Sequence, residues 1–366
     1  MKIVTVVGAR PQFIKAATLS RAICRHNSKP GNLAIEEKII HTGQHYDSNM
    51  SENFFEELNI PSPNFHLNIG STAQGAQTGK MLEKIEAVLQ KELPDFLLVY
   101  GDTNSTLAGA LAAVKLHIPV AHIEAGLRSF NKKMPEEVNR ILCDHISTLL
   151  FCPTQTSIKN LENEGITLGV KYVGDVMYDG MLYYQKKTNN RVLDSLRLKP
   201  NQYILATVHR AENTDDPTRL NSIITALGEA GNSIGKVILA LHPRTRKKIS
   251  EQSIQISKSI QVIEPAPYLE TITLLKNARA IMTDSGGMQK EAFFLKTPCL
   301  TLREETEWVE TIDCGANQLV GADTKQTTQI LKKLFSGEWK PHFAEKPYGQ
   351  GNAADSIISS LTNFAT

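Results

Sequence analysis

The sequence predicts an α/β protein with a parallel, doubly wound sheet in each half. Short runs dominated by apolar residues, such as FLLVY at Phe96–Tyr100, YILATV at 203–208 and KVILAL at 236–241, read as strands buried on both faces. Each run stops at Gly, Asp or His and gives way to a segment of helical periodicity, the alternation that a parallel sheet requires. The 366 residues exceed what one hydrophobic core usually holds, so two domains are expected.

Taken in order, KIVTVV (2–7) is a strand, Gly8-Ala9-Arg10-Pro11 a tight turn and 13–23 a helix, which together open a Rossmann-like unit. The GxGxxG dinucleotide fingerprint is absent, because Arg10 and Phe13 stand where its later glycines belong. Arg10 and Lys15 instead place cations at a helix start, where a phosphate is well received; the alternative is two solvated surface charges. Residues 38–41 form the next strand, followed by the polar loop Thr42-Gly43-Gln44-His45-Tyr46-Asp47 and a helix around 51–58. Residues 77–93 are amphipathic, with Met81, Ile85, Val88 and Leu89 on the core face. Phe96–Tyr100 then runs into Gly101 and Asp102, with Asn104 or Ser105 as the cap of a helix to Lys115. Residues 118–122 are a short strand with Glu124 just past its end. Glu136 and Glu137 follow behind Pro135. Residues 148–152 are a strand, 154–161 begin a helix, and the first domain ends at Asp175.

The polar stretch 187–202, containing Pro200, reads as surface helix and loop after the crossing. In the second half, strands at 203–208, 236–241, 260–263, 280–283 and 298–302 alternate with helices at 219–229, 269–277 and 288–295; 298–302 reads as the last strand. The tail, 352–361, is helical. The expected division is 1–175 joined by 352–366, and 176–351.

A formal net charge of +2 predicts no strong attraction to nucleic acid or membrane. Five cysteines, an odd number without CxxC spacing, argue against a disulfide framework or structural zinc and for a reducing compartment. There is no signal-peptide pattern and no apolar run approaching the ~20 residues that span a bilayer. The plain expectation is a cytoplasmic protein.

The residues with chemistry gather at predicted strand ends, where open α/β sheets bind ligands. Asp102 and Glu124 end consecutive strands, and Glu136 lies close in sequence; such carboxylates suit proton transfer. In the second half, Asp284-Ser285-Gly286-Gly287 joins a strand to a helix. Its glycines let backbone approach a phosphate, Ser285 adds a hydroxyl, and Glu291 one turn on can accept from a ribose diol. An ordinary loop is the alternative. His209 and His242 both sit at strand ends and are each followed closely by an arginine, Arg210 and Arg244. Such cations would stabilise a leaving diphosphate. HExxH or HxH spacing is missing, so no metal is expected.

GARPQFIK (8–15), TGQHYD (42–47), GDTNSTLA (101–108), HIEAGLR (122–128), PEEVNR (135–140), HRAEN (209–213), His242 and DSGGMQKE (284–291) occur in order. With this series, covering nearly the whole chain, the sequence closely resembles the non-hydrolysing UDP-N-acetylglucosamine 2-epimerases. The resemblance implies the glycosyltransferase-B architecture: two Rossmann-like domains, an active site in the cleft between them, and a C-terminal helix returning to the first domain. It implies a cytoplasmic homodimer that acts on a UDP-sugar without metal, NAD or other cofactor. By position, Asp102, Glu124 and Glu136 match the catalytic carboxylates and His209 a catalytic or phosphate-side partner. Arg10, Lys15, Arg140 and His209 match diphosphate and sugar contacts, with His242 beside them, and Ser285, Gly286, Gly287 and Glu291 match the nucleotide site.

The chain also departs from the pattern. Thr306-Glu307-Trp308-Val309-Glu310 stands where members acting on UDP-N-acetylglucosamine read TERPE, and Gln44-His45-Tyr46-Asp47 replaces a QHRE-type loop that binds an activating second substrate in several members. With Gln12-Phe13 and Lys290, these choices resemble the branch acting on UDP-2,3-diacetamido-2,3-dideoxy-glucuronate. A hydrolysing epimerase, a glycosyltransferase on the same architecture and a nucleotide-sugar sensor are the rival readings.

Overall fold

The computed structural model describes residues 1–44, 55–56, 58–70 and 72–365. The expected helix around 51–58, apart from Phe55, Glu56 and Leu58, and the loop residues His45, Tyr46 and Asp47 lie outside the described residues. The chain divides into two compact units, one of residues 1–182 with 346–366 and one of residues 183–345.

The first unit is built on a seven-stranded sheet. Its strands are β1 (Lys2–Val7), β2 (Glu36–His41), β3 (Phe65–His66), β4 (Phe96–Tyr100), β5 (Val120–Ile123), β6 (Leu149–Cys152) and β7 (Val170–Tyr172). They lie in the order β3-β2-β1-β4-β5-β6-β7, every neighbouring pair parallel. The order reverses between β1 and β4, which opens a crevice at the carboxyl ends of those strands. All five residues of β4 are buried, as an uninterrupted apolar run requires of a central strand. On one face, Val4, Val6, Leu97 and Val99 pack against Met81, Ile85 and Leu89 of the helix Gln74–Glu92 and the alanines of the helix Asn104–Lys115. The C-terminal helix Ala353–Ala365 belongs to this unit. Asp179 accepts from the Ala354 N–H at 2.9 Å, and Phe364 packs edge-on against Phe96 at 5.3 Å between ring centres.

The cap of the helix Asn104–Lys115 is Thr103, whose hydroxyl accepts from the Thr106 N–H at 3.3 Å, rather than Asn104 or Ser105. Those two side chains are spent on other elements: Asn104 donates to Gln77 and Ser105 bonds Thr42 and Gln44.

The second unit carries β8 (Tyr203–Thr207), β9 (Lys236–Ala240), β10 (Ile260–Ile263), β11 (Ala280–Thr283), β12 (Cys299–Thr301) and β13 (Asn317–Leu319), in the order β10-β9-β8-β11-β12-β13 and parallel throughout. Here the order reverses between β8 and β11. The strand at 298–302 is therefore not the last. β13 follows at the sheet edge, too short and polar to show as an apolar run, with buried Asn317 bonded to Thr301 and Thr311. The helix Thr324–Ser336 follows and packs against the helix Pro217–Ser233.

Among the described residues no helix is long and apolar enough to cross a membrane, and no group of three metal-ligating side chains forms. The five cysteines are free thiols; Cys24 is exposed and the others are buried.

Candidate active site

The crevice of the first unit is stitched by Gln12. Its carbonyl accepts from the Gly8 and Ala9 N–H groups at 2.8 and 3.0 Å, and its amide lies 2.8 Å from the Tyr100 carbonyl and 2.9 Å from the Thr103 hydroxyl. One fully buried amide thus fixes the turn after β1 against the turn after β4, on either side of the switch point. Gly8 has to be a glycine, because a Cβ there would stand 2.1 Å from Ser105 Oγ and 2.3 Å from Thr42 Oγ1.

Asp102 follows β4 directly. The buried guanidinium of Arg140 holds its carboxylate at 2.5 Å and also reaches Glu137 at 2.9 Å. Asn139 donates to the Asp102 carbonyl at 2.9 Å. Glu137, 1 % exposed, accepts from the Ser129 and Phe130 N–H groups as well, so it fixes the loop before its helix and the arginine together. Asp102 keeps a third of its side chain open to solvent while its partner is buried, a carboxylate presented from a rigid support.

Glu124 follows β5, the strand paired with β4. It is buried and ion-paired with Lys15, which is buried too. Its backbone stands at φ +72°, the left-handed region that costs a residue with a Cβ on the order of 1–2 kcal/mol and that clusters at functional sites. The pair lies against Gly101: a Cβ there would stand 3.1 Å from Glu124 Oε2 and 3.3 Å from Lys15 Nζ. Glu136 is half-buried in the first turn of the helix Pro135–Ile146, where the helix N-terminus favours its charge, and has no ion-pair partner among the described residues. Arg10 is the first residue of the helix Arg10–Asn27, at the carboxyl end of β1.

In the second unit, the crevice between β8 and β11 is organised by Asp284, which is fully buried. It accepts from the His209 N–H at 3.0 Å, the Arg210 N–H at 3.0 Å and Asn213 Nδ2 at 3.1 Å, and it lies 3.2 Å from His209 Nδ1. With Nδ1 directed at the carboxylate, His209 turns Nε2 outward, and the ring is 44 % exposed. His242 caps the helix Pro243–Glu251: its Nδ1 accepts from the Arg244 N–H at 3.3 Å, so its proton sits on Nε2. The two rings are 6.4 Å apart between centres. Two imidazoles, tilted by 42° to each other, therefore lie side by side at the ends of adjacent strands. The arginine expected beside His242 turns away, since Arg244 pairs with Asp215 at 2.8 Å.

Ser285 caps the helix Gly286–Phe294, and Gly286 is its first residue. A Cβ at Gly286 would collide with Glu307 Oε1, so the glycine is what lets that buried carboxylate lie against the helix start. Glu291 is buried one turn on. Lys290, fully buried, sits 4.0 Å over the Trp308 ring, and Arg303 bonds Glu307 at 3.0 Å. The departures noted in sequence, Lys290 and Trp308, are thus partners of each other.

Within each unit the structure gathers most of the expected residues. It brings Lys15 to Glu124, Arg140 to Asp102, and His209 to His242. Lys15, expected among the diphosphate and sugar contacts, is ion-paired with Glu124. Gln12, Glu137 and Asp284 escaped sequence reading as site-forming residues. Gln12 and Asp284 take partners from distant parts of the chain, while Glu137 bonds the loop just before its own helix and the arginine one turn on; only the unusual density of polar residues around strand ends hinted at them.

A sequence profile described as UDP-N-acetylglucosamine 2-epimerase matches residues 30–362. The chain is 54 % identical over its full length, and the full length of the relative, to a UDP-2,3-diacetamido-2,3-dideoxy-D-glucuronate 2-epimerase of Pseudomonas aeruginosa. It is 44 % identical to a UDP-N-acetylglucosamine 2-epimerase of Methanocaldococcus jannaschii, over 99 % of both chains. Among solved structures, a Methanocaldococcus jannaschii UDP-GlcNAc 2-epimerase in complex with UDP-GlcNAc and UDP superposes with a TM-score of 0.90, covering 99 % of this chain and 100 % of that one. A Neisseria meningitidis UDP-GlcNAc 2-epimerase bound to UDP-GlcNAc, 32 % identical, gives 0.89 over 99 % and 100 %. With its sheets, its strand-end residues and these relatives in agreement, the chain belongs to the UDP-N-acetylglucosamine 2-epimerase family of carbohydrate isomerases, on the glycosyltransferase-B fold.

Proposed function

We propose that the protein inverts C2 of a UDP-linked 2-acetamido sugar, a conversion of the UDP-N-acetylglucosamine to UDP-N-acetylmannosamine type. The observation that carries this reading is the pair of strand-end carboxylates, each held by a buried cation: Asp102 by Arg140 and Glu124 by Lys15. The C2 proton of a pyranoside has no carbonyl beside it and is poorly acidic. As the C1–O bond to UDP breaks, positive charge at C1 acidifies that proton. One carboxylate removes it, and the electron pair forms the C1–C2 double bond of a 2-acetamidoglucal with UDP as leaving group. A second carboxylic acid returns a proton to the opposite face of C2, UDP adds back to C1, and the epimer forms. Asp102, Glu124 and Glu136 are assigned to these transfers.

Charge on the departing diphosphate is assigned to the helix start at Ser285–Gly287 and to His242, with His209 beside it and Arg10 and Arg140 on the sugar side. Glu291 takes the ribose hydroxyls. No metal, NAD or other cofactor enters these steps. Family resemblance adds a cytoplasmic homodimer making a precursor of a surface polysaccharide.

A second reading narrows the sugar to UDP-2,3-diacetamido-2,3-dideoxy-glucuronate. The 54 % identity to the Pseudomonas aeruginosa enzyme of that name supports it, and so does the Lys290–Trp308 pair in the nucleotide-side loop.

The test is incubation of the pure protein with each UDP-sugar and no acceptor, followed by ion-exchange separation. A manno-configured UDP-sugar supports the proposal, and the faster substrate selects the reading. Free UDP with free sugar means the hydrolysing outcome, and no conversion of either compound sinks the proposal.

A further inference from the structure

His122 lies on β5, fully buried, two residues before Glu124, and the proposed chemistry does not use it. Its Nε2 is 2.7 Å from the Gly101 carbonyl, the residue before Asp102, and its Nδ1 is 2.7 Å from Asp144 Oδ1. A carbonyl oxygen only accepts. Asp144 also only accepts, because its other oxygen already takes the Gly126 N–H at 3.1 Å and Arg128 at 2.7 Å, as an ionised carboxylate does. A neutral imidazole has one donor and one acceptor and would set a lone pair against one of these oxygens.

Both ring nitrogens therefore carry protons. The charges are placed to match: buried Asp144 faces both Arg128 and the imidazolium, while Glu164, partly exposed, faces Arg128 and His145. The ring ties the Gly101–Asp102 turn, through Asp144, to Gly126 and Arg128 on the loop that follows Glu124.

We propose that His122 is a permanently charged imidazolium that positions Asp102 and Glu124 for the proton transfers and exchanges no proton with the substrate. The proposal rests on the roles given above to those two carboxylates. The other titratable or charged groups around the ring are Cys143 on the helix of Asp144, Arg128 with its partner Glu164, and Asp102, Glu124 and Lys15 at the strand ends. Burial opposes the charge, but Cys143 and Asp144 outweigh it and hold the ring well above the ordinary histidine range, while Asp144 is held below its own despite burial.

The test is a long-range proton–nitrogen correlation spectrum of protein labelled with 15N-histidine, taken from pH 6 to 8.5. One ring with both nitrogens at imidazolium positions at pH 8.5 is the expected result; if every ring is neutral there, the proposal is overturned. Asp144→Asn supplies the functional readout. It removes the anchoring charge, so kcat should gain an alkaline limb, falling about tenfold between pH 6 and 8.5, with KM within twofold and no such limb in the unaltered protein. A pH-independent loss of kcat would overturn the positioning role, and should this variant not fold, the unaltered protein's spectrum decides alone. If the protein converts no UDP-sugar, the proposed function fails while the spectrum still reports the state of the ring.

Discussion

Replacing Lys15 by methionine separates the two ways in which its contact with Glu124 could matter. Both side chains are buried, 6 % and 7 % exposed, so neither charge can fall back on water. Removing the ammonium takes the ion-pair partner from a buried carboxylate. Breaking one side of a buried pair in this way costs about 3 kcal/mol or more. In a unit of this size that corresponds to a fall in melting temperature of about 6–12 °C. Glu124→Gln alone takes the carboxylate from a buried lysine and should cost a similar amount. The double variant, Lys15→Met with Glu124→Gln, leaves no stranded charge and should recover at least about 2 kcal/mol of the summed loss. Activity should behave differently. All three variants lose at least about 100-fold in kcat, because the double variant restores neither the carboxylate nor the cation that holds it. Melting curves and initial rates on the same preparations give both quantities. Strict additivity of the two single stability losses would refute the coupling, and a double variant with near-normal kcat would refute the catalytic assignment of Glu124.

Gln12→Leu strands the Gly8 and Ala9 N–H groups, and should cost about 2–4 kcal/mol in thermal or urea unfolding. Gly286→Ala drives a methyl group against Glu307 Oε1 at the helix start and should weaken UDP binding at least about tenfold by calorimetry. Asp179, which caps the C-terminal helix, is pushed up to about 6 by burial. A raised folded-state value means that its contribution is full below the unfolded value near 4 and is lost as pH rises through about 6. Asp179→Asn, which keeps the cap and removes the charge, should therefore match the unaltered protein near pH 4 and exceed it by about 1–2 kcal/mol at pH 7.5, read from melting curves across that range.

The sheets were legible in the sequence because central parallel strands leave a signature that needs no tertiary information. Phe96–Tyr100 and Ala280–Thr283 read as strands and are strands, since each is buried on both faces and bounded by turn residues. β13 was not legible, because a three-residue edge strand led by a polar Asn317 carries no such pattern. The cap at Thr103 was misplaced by a residue or two because three successive residues, Thr103, Asn104 and Ser105, could all serve. Tertiary partners decided among them, drawing Asn104 to Gln77 and Ser105 to Thr42. At the site, the strand-end positions of Asp102, Glu124 and His209 could be read from local pattern. The pairing of Lys15 with Glu124 and the bridging by Gln12 could not, for they join residues about 90 or more apart that only the sheet order makes neighbours.

The central claim is proton exchange at C2 of a UDP-sugar. It is tested most directly by proton NMR in heavy water of the pure protein with UDP-N-acetylglucosamine, and then with the 2,3-diacetamido glucuronate analogue. The account predicts loss of the C2 proton signal, a manno-configured UDP-sugar bearing one deuteron at C2, and abolition of both by Asp102→Asn. A C2 signal that persists with both compounds, or epimerisation that retains the original C2 proton, would contradict it.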